Sequence, residues 1–299
     1  MPSRRRISIP HPLSISLAVA VLVALAACSR DRTPAGTPPH TSIVAAGDIA
    51  GCWWRSDEST ARLLDHISGV VAPLGDNVYQ AGTRAQYRDC YAPTWGRHRA
   101  RTRPAIGNHD MRTEEGAAYY EFFGAAAGPR GKGWYSYDLE GWHVVVLNSE
   151  VGIDSTSEQV GWLRADLAAH PVKCTLAYMH RPRFSSGEHG DSERMKPAFR
   201  ALYDGGVDVV LGGHDHVYER FAPQDPAGRK DRNRGVRQFV VGTGGAPFYD
   251  FHEKLDDNSE VHQNRVHGVL RLVFHPDGYD WEFVGVNDDF EDHGHGDCH

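Results

Sequence analysis

A chain of 299 residues with 40% hydrophobic and 24% charged residues has the composition of a globular protein, with room for one large domain or two small ones. Its formal charge is −7, and no Lys/Arg-rich run follows the first few residues. Nucleic acid is therefore excluded as the main partner, because phosphate backbones are gripped by Lys and Arg.

Residues 1–27 read as an export signal. Arg4, Arg5 and Arg6 give a positive start, and Leu13 to Ala27 is an apolar run shorter than the ~20 residues of a spanning helix. The run ends in Leu25-Ala26-Ala27-Cys28, which resembles a bacterial lipobox: small residues fit the peptidase cleft and the Cys28 thiol accepts a lipid. Ser3-Arg4-Arg5-Arg6-Ile7 also resembles a twin-arginine signal, so the export route stays open. Residues 28–41 hold Pro34, Pro38, Pro39 and Gly36 and almost no large apolar residue, the composition of a tether behind a lipidated cysteine. The expected product is an exported lipoprotein, periplasmic or on the cell surface, held at the membrane through Cys28. Removal of residues 1–27 takes away three arginines and no acids, moving the charge from −7 to −10.

From residue 42 onward, short apolar runs alternate with amphipathic stretches. Ser42–Ala46, Val70–Leu74, His143–Leu147, Thr175–Met179, Val207–Leu211 and Gln238–Val241 read as buried strands. Trp134–Leu139 and the segment from Trp142 read as a hairpin turning at Glu140-Gly141. Val269–Phe274 and Tyr279–Val284 read as another, turning at Pro276-Asp277-Gly278. Helices are expected over Ser59–Ile67, Ser157–Ala169 (with Ser157 as N-cap) and Met195–Tyr203. Strand–helix alternation followed by hairpins implies one layered α/β domain over residues 42–299 with a mixed sheet core.

Four cysteines remain after the signal, and in an exported chain an even count implies two disulfides. Three pairings are possible and the sequence does not choose among them. Cys52–Cys90 with Cys174–Cys298 is preferred, since it would tie two loops together and pin the C-terminus to a core strand.

The chemistry lies in five short motifs: Gly47-Asp48, Gly75-Asp76-Asn77-Val78-Tyr79, Gly107-Asn108-His109-Asp110, Met179-His180 and Gly213-His214-Asp215-His216. Four of them directly follow an apolar strand. Residues at strand ends collect along one sheet edge, where α/β ligand sites form. Asp oxygen and His nitrogen suit Fe, Zn and Mn, and a shared carboxylate can hold two such ions side by side. Taken singly, each motif is more often a turn, a packed ring or a hydrogen-bonded histidine; their order and company are what point to a dinuclear centre.

In this set the chain resembles the calcineurin-like metallophosphoesterase superfamily, and within it the purple acid phosphatases and their bacterial relatives. The resemblance spans Ser42 to Arg220 by motif. It implies a four-layer αββα sandwich of two mixed β-sheets flanked by helices. It also implies that Asp48, Tyr79 and His216 bind a first metal, Fe(III), that Asn108, His180 and His214 bind a second, divalent ion (Fe, Zn or Mn), and that Asp76 bridges them. His109 would stand near the phosphate or leaving group. The implied reaction is hydrolysis of a small phosphate monoester by metal-bound hydroxide, with His109 or His189 protonating the leaving oxygen. A phosphodiesterase or nucleotidase on the same site is the near alternative, and a surface lipoprotein that binds metal or phosphate without turnover the more distant one. Two departures stand out. Many metallophosphoesterases carry His two residues after the first Asp, where this chain has Ala50; in the purple phosphatase branch the tyrosine matched by Tyr79 takes that place. Past His180 the chain has Arg181, Arg183 and His189, of which His189 is the candidate for a further family histidine and Arg183 a candidate for binding phosphate or a solvated loop charge. The tail from His293 to His299 invites a metal reading, but the expectation is a mobile tail anchored by a disulfide.

Overall fold

The computed structural model describes residues 41–299, together with Pro2. The expected signal, the lipidated Cys28 and nearly all of the tether lie outside the described residues. Among the described residues no helix is long and apolar enough to cross a membrane.

Twelve strands form two mixed sheets among these residues. The first holds β1 (Ser42–Ala46), β2 (Val70–Pro73), β10 (Gly268–Phe274), β11 (Gly278–Gly285) and β12 (His293–Asp297), in the order β12-β11-β10-β1-β2. Only β1 and β2 run parallel; the other pairs are antiparallel. The second sheet contains β3 (Tyr135–Leu139), β4 (Trp142–Val146), β5 (Cys174–Tyr178), β6 (Val209–Gly212), β7 (Tyr218–Phe221), β8 (Arg237–Val241) and β9 (Ser259–Gln263), ordered β3-β4-β5-β6-β8-β7-β9. Its centre, β4-β5-β6-β8, is parallel.

The run-on apolar composition of the central strands follows from their being covered on both faces. Val144 and Val146 of β4, Leu176 and Tyr178 of β5, and Phe239 and Val241 of β8 share one core with Leu270 and Leu272 of the first sheet. The alternate residues Val145, Ala177, Val210 and Val240 face a second core. There they meet Val160, Leu163 and Leu167 of α2 (Glu158–Ala169) and Ala198, Phe199 and Leu202 of α3 (Lys196–Asp204). On the far side of the first sheet, α1 (Ser56–His66) packs on β10. Helix, sheet, sheet, helix is the expected four-layer order. Truncating one of these side chains, Leu163 for instance, would cost about 2–5 kcal/mol.

Both hairpins and the three helices lie within a few residues of their expected bounds. The Ser157 side chain accepts from Val160 N–H, capping α2 as expected, and Pro197 sits in the first turn of α3. The cysteines pair as Cys52–Cys90 and Cys174–Cys298, with Cα separations of 5.1 and 5.4 Å. Three strands were not expected. β7 carries charged Glu219 and Arg220, which hide its apolar alternation; Glu219 is nonetheless fully buried and accepts from Ser186 N–H. β9 is a short, mostly polar edge strand. The expected mobile tail is instead β12, paired along β11 from Glu282↔His293 to Gly278↔Asp297. Its apolar partners lie on the neighbouring strand, so its own sequence carries no strand pattern.

Candidate metal centre

Parallel neighbours end at the same edge. β1 and β2 deliver Asp48 and Asp76 there, while β5 and β6 deliver His180 and His214 from the other sheet. The two sheets are joined at this edge: Gly47 N–H donates to Val241 O (2.8 Å), and Gly244 N–H donates to Gly47 O (2.9 Å). Only glycine fits at 213, since a Cβ there would lie 2.6 Å from Asp48 Oδ2 and 3.3 Å from Gly47 Cα. Three of the turning residues are not glycine: Asp48 (φ 60°), Asp76 (φ 47°) and His214 (φ 71°) adopt left-handed backbone. Each such residue stores about 1–3 kcal/mol, and such strain clusters where side chains must be aimed.

The structure brings all seven expected metal-binding side chains together. The Tyr79 hydroxyl lies 2.9 Å from Asp48 Oδ1, 3.1 Å from Asp76 Oδ2 and 3.0 Å from His216 Nε2. His180 Nε2 is 3.3 Å from Asp76 Oδ2, 3.0 Å from Asn108 Oδ1 and 3.2 Å from His214 Nδ1. Asp48, Asp76 and His180 form a group with converging ligand atoms, the one such group among the described residues that is buried throughout. Position 50 is Ala50; its carbonyl accepts from Tyr79 N–H (2.8 Å), placing Tyr79 beside the first aspartate.

The hydrogen-bond pattern fits cations. His180 Nδ1 faces Leu74 O (2.9 Å) and His216 Nδ1 faces Pro247 O (2.7 Å). A carbonyl only accepts, so the proton sits on Nδ1 and each Nε2 turns a lone pair inward. Those lone pairs meet carboxylate oxygens at 3.3 Å (His180 and Asp76) and 3.5 Å (His216 and Asp48). Acceptor facing acceptor is repulsive unless a proton or a metal lies between. Protein groups alone answer with protons: burial lowers the His180 pKa, but Asp76 overrides it and the value rises to about 10. Burial, with Asp48 and Asp76 beside it, holds the Tyr79 phenol well above its ordinary range. Each of these protons occupies a position that a metal would take.

Asp110, given no role by the motif reading, organises the loops. It is fully buried and accepts from Gly107 N–H (2.9 Å), Asn77 N–H (3.2 Å), Asn77 Nδ2 (2.9 Å) and the Tyr87 hydroxyl (2.6 Å). One carboxylate thus locks the second motif to the third. Burial and the nearby Asp76 push its pKa up to about 6.

The two candidate proton carriers flank the cluster. His109 donates its backbone N–H to Asp76 Oδ1 (2.7 Å); its ring lies between Gln80 O (2.7 Å from Nδ1) and Arg112 Nη2 (3.1 Å from Nε2). His189 is more open. Its Nδ1 is 2.9 Å from Oδ1 of the fully buried Asp215, and its ring centre is 4.1 Å from that of His214. Asp215, the residue between two expected ligands, is therefore the group that orients His189.

Arg183 neither bonds the cluster nor is solvated. It is buried against Phe184 and bonds Glu193 (2.7 Å). Arg181 is the arginine that reaches the cluster: Glu150 grips its Nε (2.9 Å), and its guanidinium reaches His214 Nε2 (2.7 Å) and Asn108 Oδ1 (3.2 Å). Its position directly after His180 was the available signal. Beside the cluster opens a cavity of about 390 Å³ lined by Trp53, Trp54, Tyr79, His109, Arg112, His216 and Tyr249. Tyr249 stacks on His216 at 3.9 Å, and Trp53 is 59% exposed at the rim, next to the Cys52–Cys90 disulfide.

Residues 41–218 match the family described as calcineurin-like phosphoesterase, and the chain belongs to that family. It is similar to purple acid phosphatase 21 of Arabidopsis thaliana, 30% identical over 284 residues that cover 85% of this chain and 62% of that one. In fold it is similar to purple acid phosphatase PPD1 from yellow lupin (Lupinus luteus), with a TM-score of 0.66, 19% identity and coverage of 84% of this chain and 52% of that one. It is also similar to GAP50, the anchor in the inner membrane complex of Plasmodium, with a TM-score of 0.65, 12% identity and coverage of 85% and 88%. The chain thus spans somewhat over half the length of the two phosphatases.

Proposed function

We propose that this protein is a dinuclear-metal hydrolase of phosphate monoesters. The observation that carries the reading is the meeting of Asp48, Asp76 and His216 on the Tyr79 hydroxyl, with His180, His214 and Asn108 alongside. Asp48, Tyr79 and His216 would hold one cation, Fe(III), since phenolate is a hard anionic donor. Asn108, His180 and His214 would hold a divalent Fe, Zn or Mn ion, with Asp76 available to both. When bound, such a pair supplies an activated water at neutral pH and neutralises charge on the ester oxygens.

The chain's own residues do the rest. Arg181, held by Glu150, keeps a guanidinium beside Asn108 and His214, where its remaining Nη1 N–H can donate to a phosphate oxygen. In this reading His189, steered by Asp215, hands a proton to the leaving oxygen, while His109, with Nδ1 on Gln80 O and Nε2 facing Arg112, lines the site beside Asp76. Trp53, Trp54 and Tyr249 wall the cavity through which the alcohol part would project.

A phosphodiesterase or nucleotidase would use the same groups. Turnover of a phenyl phosphate monoester against its bis-ester separates them, and we expect the monoester to win. Fold by itself does not decide chemistry; the side chains carry this reading. Metal analysis with a visible spectrum is the direct test: two equivalents at this buried centre and a tyrosinate-to-iron charge-transfer band are expected, and a single ion there would sink the dinuclear reading. The proposal includes export and attachment to the membrane through Cys28, which labelling with a radioactive fatty acid would detect.

A further inference from the structure

The last strand has a pattern the proposed centre does not use. In β12, His293, His295 and Asp297 alternate with Gly294 and Gly296. The glycines face inward because the space is already filled. A Cβ at Gly294 would lie 2.4 Å from the Trp281 ring, and one at Gly296 would lie 2.5 Å from the Tyr279 ring. Alternation then places His293, His295 and Asp297 on the outer face, where the register sets His295 opposite Asp280. Two imidazoles close on that one carboxylate: His275 Nε2 is 2.8 Å from Asp280 Oδ2, and His295 Nδ1 is 2.7 Å from Oδ1. His295 Nε2 turns to Asp297 Oδ1 at 3.2 Å. The backbone beneath is tied down. His275 N–H donates to Gly278 O (2.8 Å), Cys298 N–H donates to Asp277 O (2.9 Å), and Cys298 is bonded to Cys174 of β5.

We infer that His275, Asp280 and His295 form a Zn2+ site that staples β12 to the β10–β11 hairpin. Their ligand atoms lie within 4.8 Å of one another. Borderline divalent cations select imidazole nitrogen with carboxylate oxygen. Zinc–ligand bonds of about 2.0–2.2 Å put tetrahedral neighbours about 3.3 Å apart. The present nitrogen–oxygen separations therefore need to widen by only about half an ångström. Asp297, on the far nitrogen of His295, is the outer carboxylate that turns the Nδ1 lone pair toward a metal. Water completes the shell on the exposed side. Ordinary surface ion pairing accounts for one histidine per carboxylate and contributes little; it does not call for two rings converging on Asp280. The site shares no residue with the proposed dinuclear centre.

The test is a Zn2+ titration of the full chain against a chromogenic chelator, comparing wild type with His275→Ala and His295→Ala. Each variant should lose one bound equivalent, and Asp297→Asn should keep that equivalent with affinity lowered about 10- to 100-fold. An equal number of equivalents at equal affinity in wild type and both alanine variants overturns the proposal. Circular dichroism confirms that the variants fold; should alanine prevent folding, His295→Gln retains the bulk, removes the imidazole and supports the same count. The count stands whether or not the chain hydrolyses esters.

Discussion

The Asp48–Asp76–His180 group and the His275–Asp280–His295 group use the same donor types in opposite settings. The first is buried and sits on loops, two of its three residues on left-handed backbone, with His180 aimed by a carbonyl. The second lies on regular strands and a tight turn, is open to water, and is aimed by cross-strand register. Burial makes every mispaired group in the first expensive, so its geometry must be enforced by strain and by Asp110. Exposure makes the second tolerant, and a plain hairpin suffices. Equal ligand chemistry would thus serve the proposed catalysis in one place and the proposed clamp in the other.

The largest break in that comparison should come from Asp76→Asn. Loss of the shared carboxylate should lower kcat for phenyl phosphate at least about 10³-fold, since both cations would lose an anionic ligand; a full-rate variant would remove the enzyme reading. Arg181→Ala should reduce kcat/KM about 10- to 100-fold, the loss of a charge-assisted contact of ~1.5–3 kcal/mol, whereas Arg183→Ala should leave it unchanged in protein that folds. Asp110→Asn keeps the shape but sets an amide N–H2 against N–H donors. Urea unfolding should show about 2 kcal/mol lost.

The smallest effect concerns a carboxylate in neither group. Burial pushes Asp57 up to about 6, above its unfolded value of 3.8. The folded state therefore binds more protons, so this group's penalty is absent below the unfolded value and grows as pH rises to about 6. Asp57→Asn should stabilise the protein at pH 7 by about 1–2 kcal/mol, within the ~3 kcal/mol ceiling of a two-unit shift, and should have no such effect at pH 3.5.

Much of the proposed centre was legible because four of the five motifs follow an apolar run that reads as a buried strand. Ile43 to Ala46 announces Asp48, and Val207 to Leu211 announces His214. What stayed hidden works through partners remote in the chain. Asp110 acts on Asn77 and Asp215 on His189, pairings that only the fold reveals. Arg181 was passed over for Arg183 because two arginines two residues apart look alike until one is seen buried against Phe184. β12 was unreadable for a different reason: its inward positions are glycine, and the hydrophobic bulk that defines the strand belongs to Trp281 and Tyr279 next door.

The joint at Gly47, Val241 and Gly244 has a further consequence. Four of the seven donors come from the first half of the chain and three from the second, so neither half-assembled sheet can capture an ion pair alone. Loading would be the closing event of maturation, and a chelator would loosen the seam between the sheets before either core.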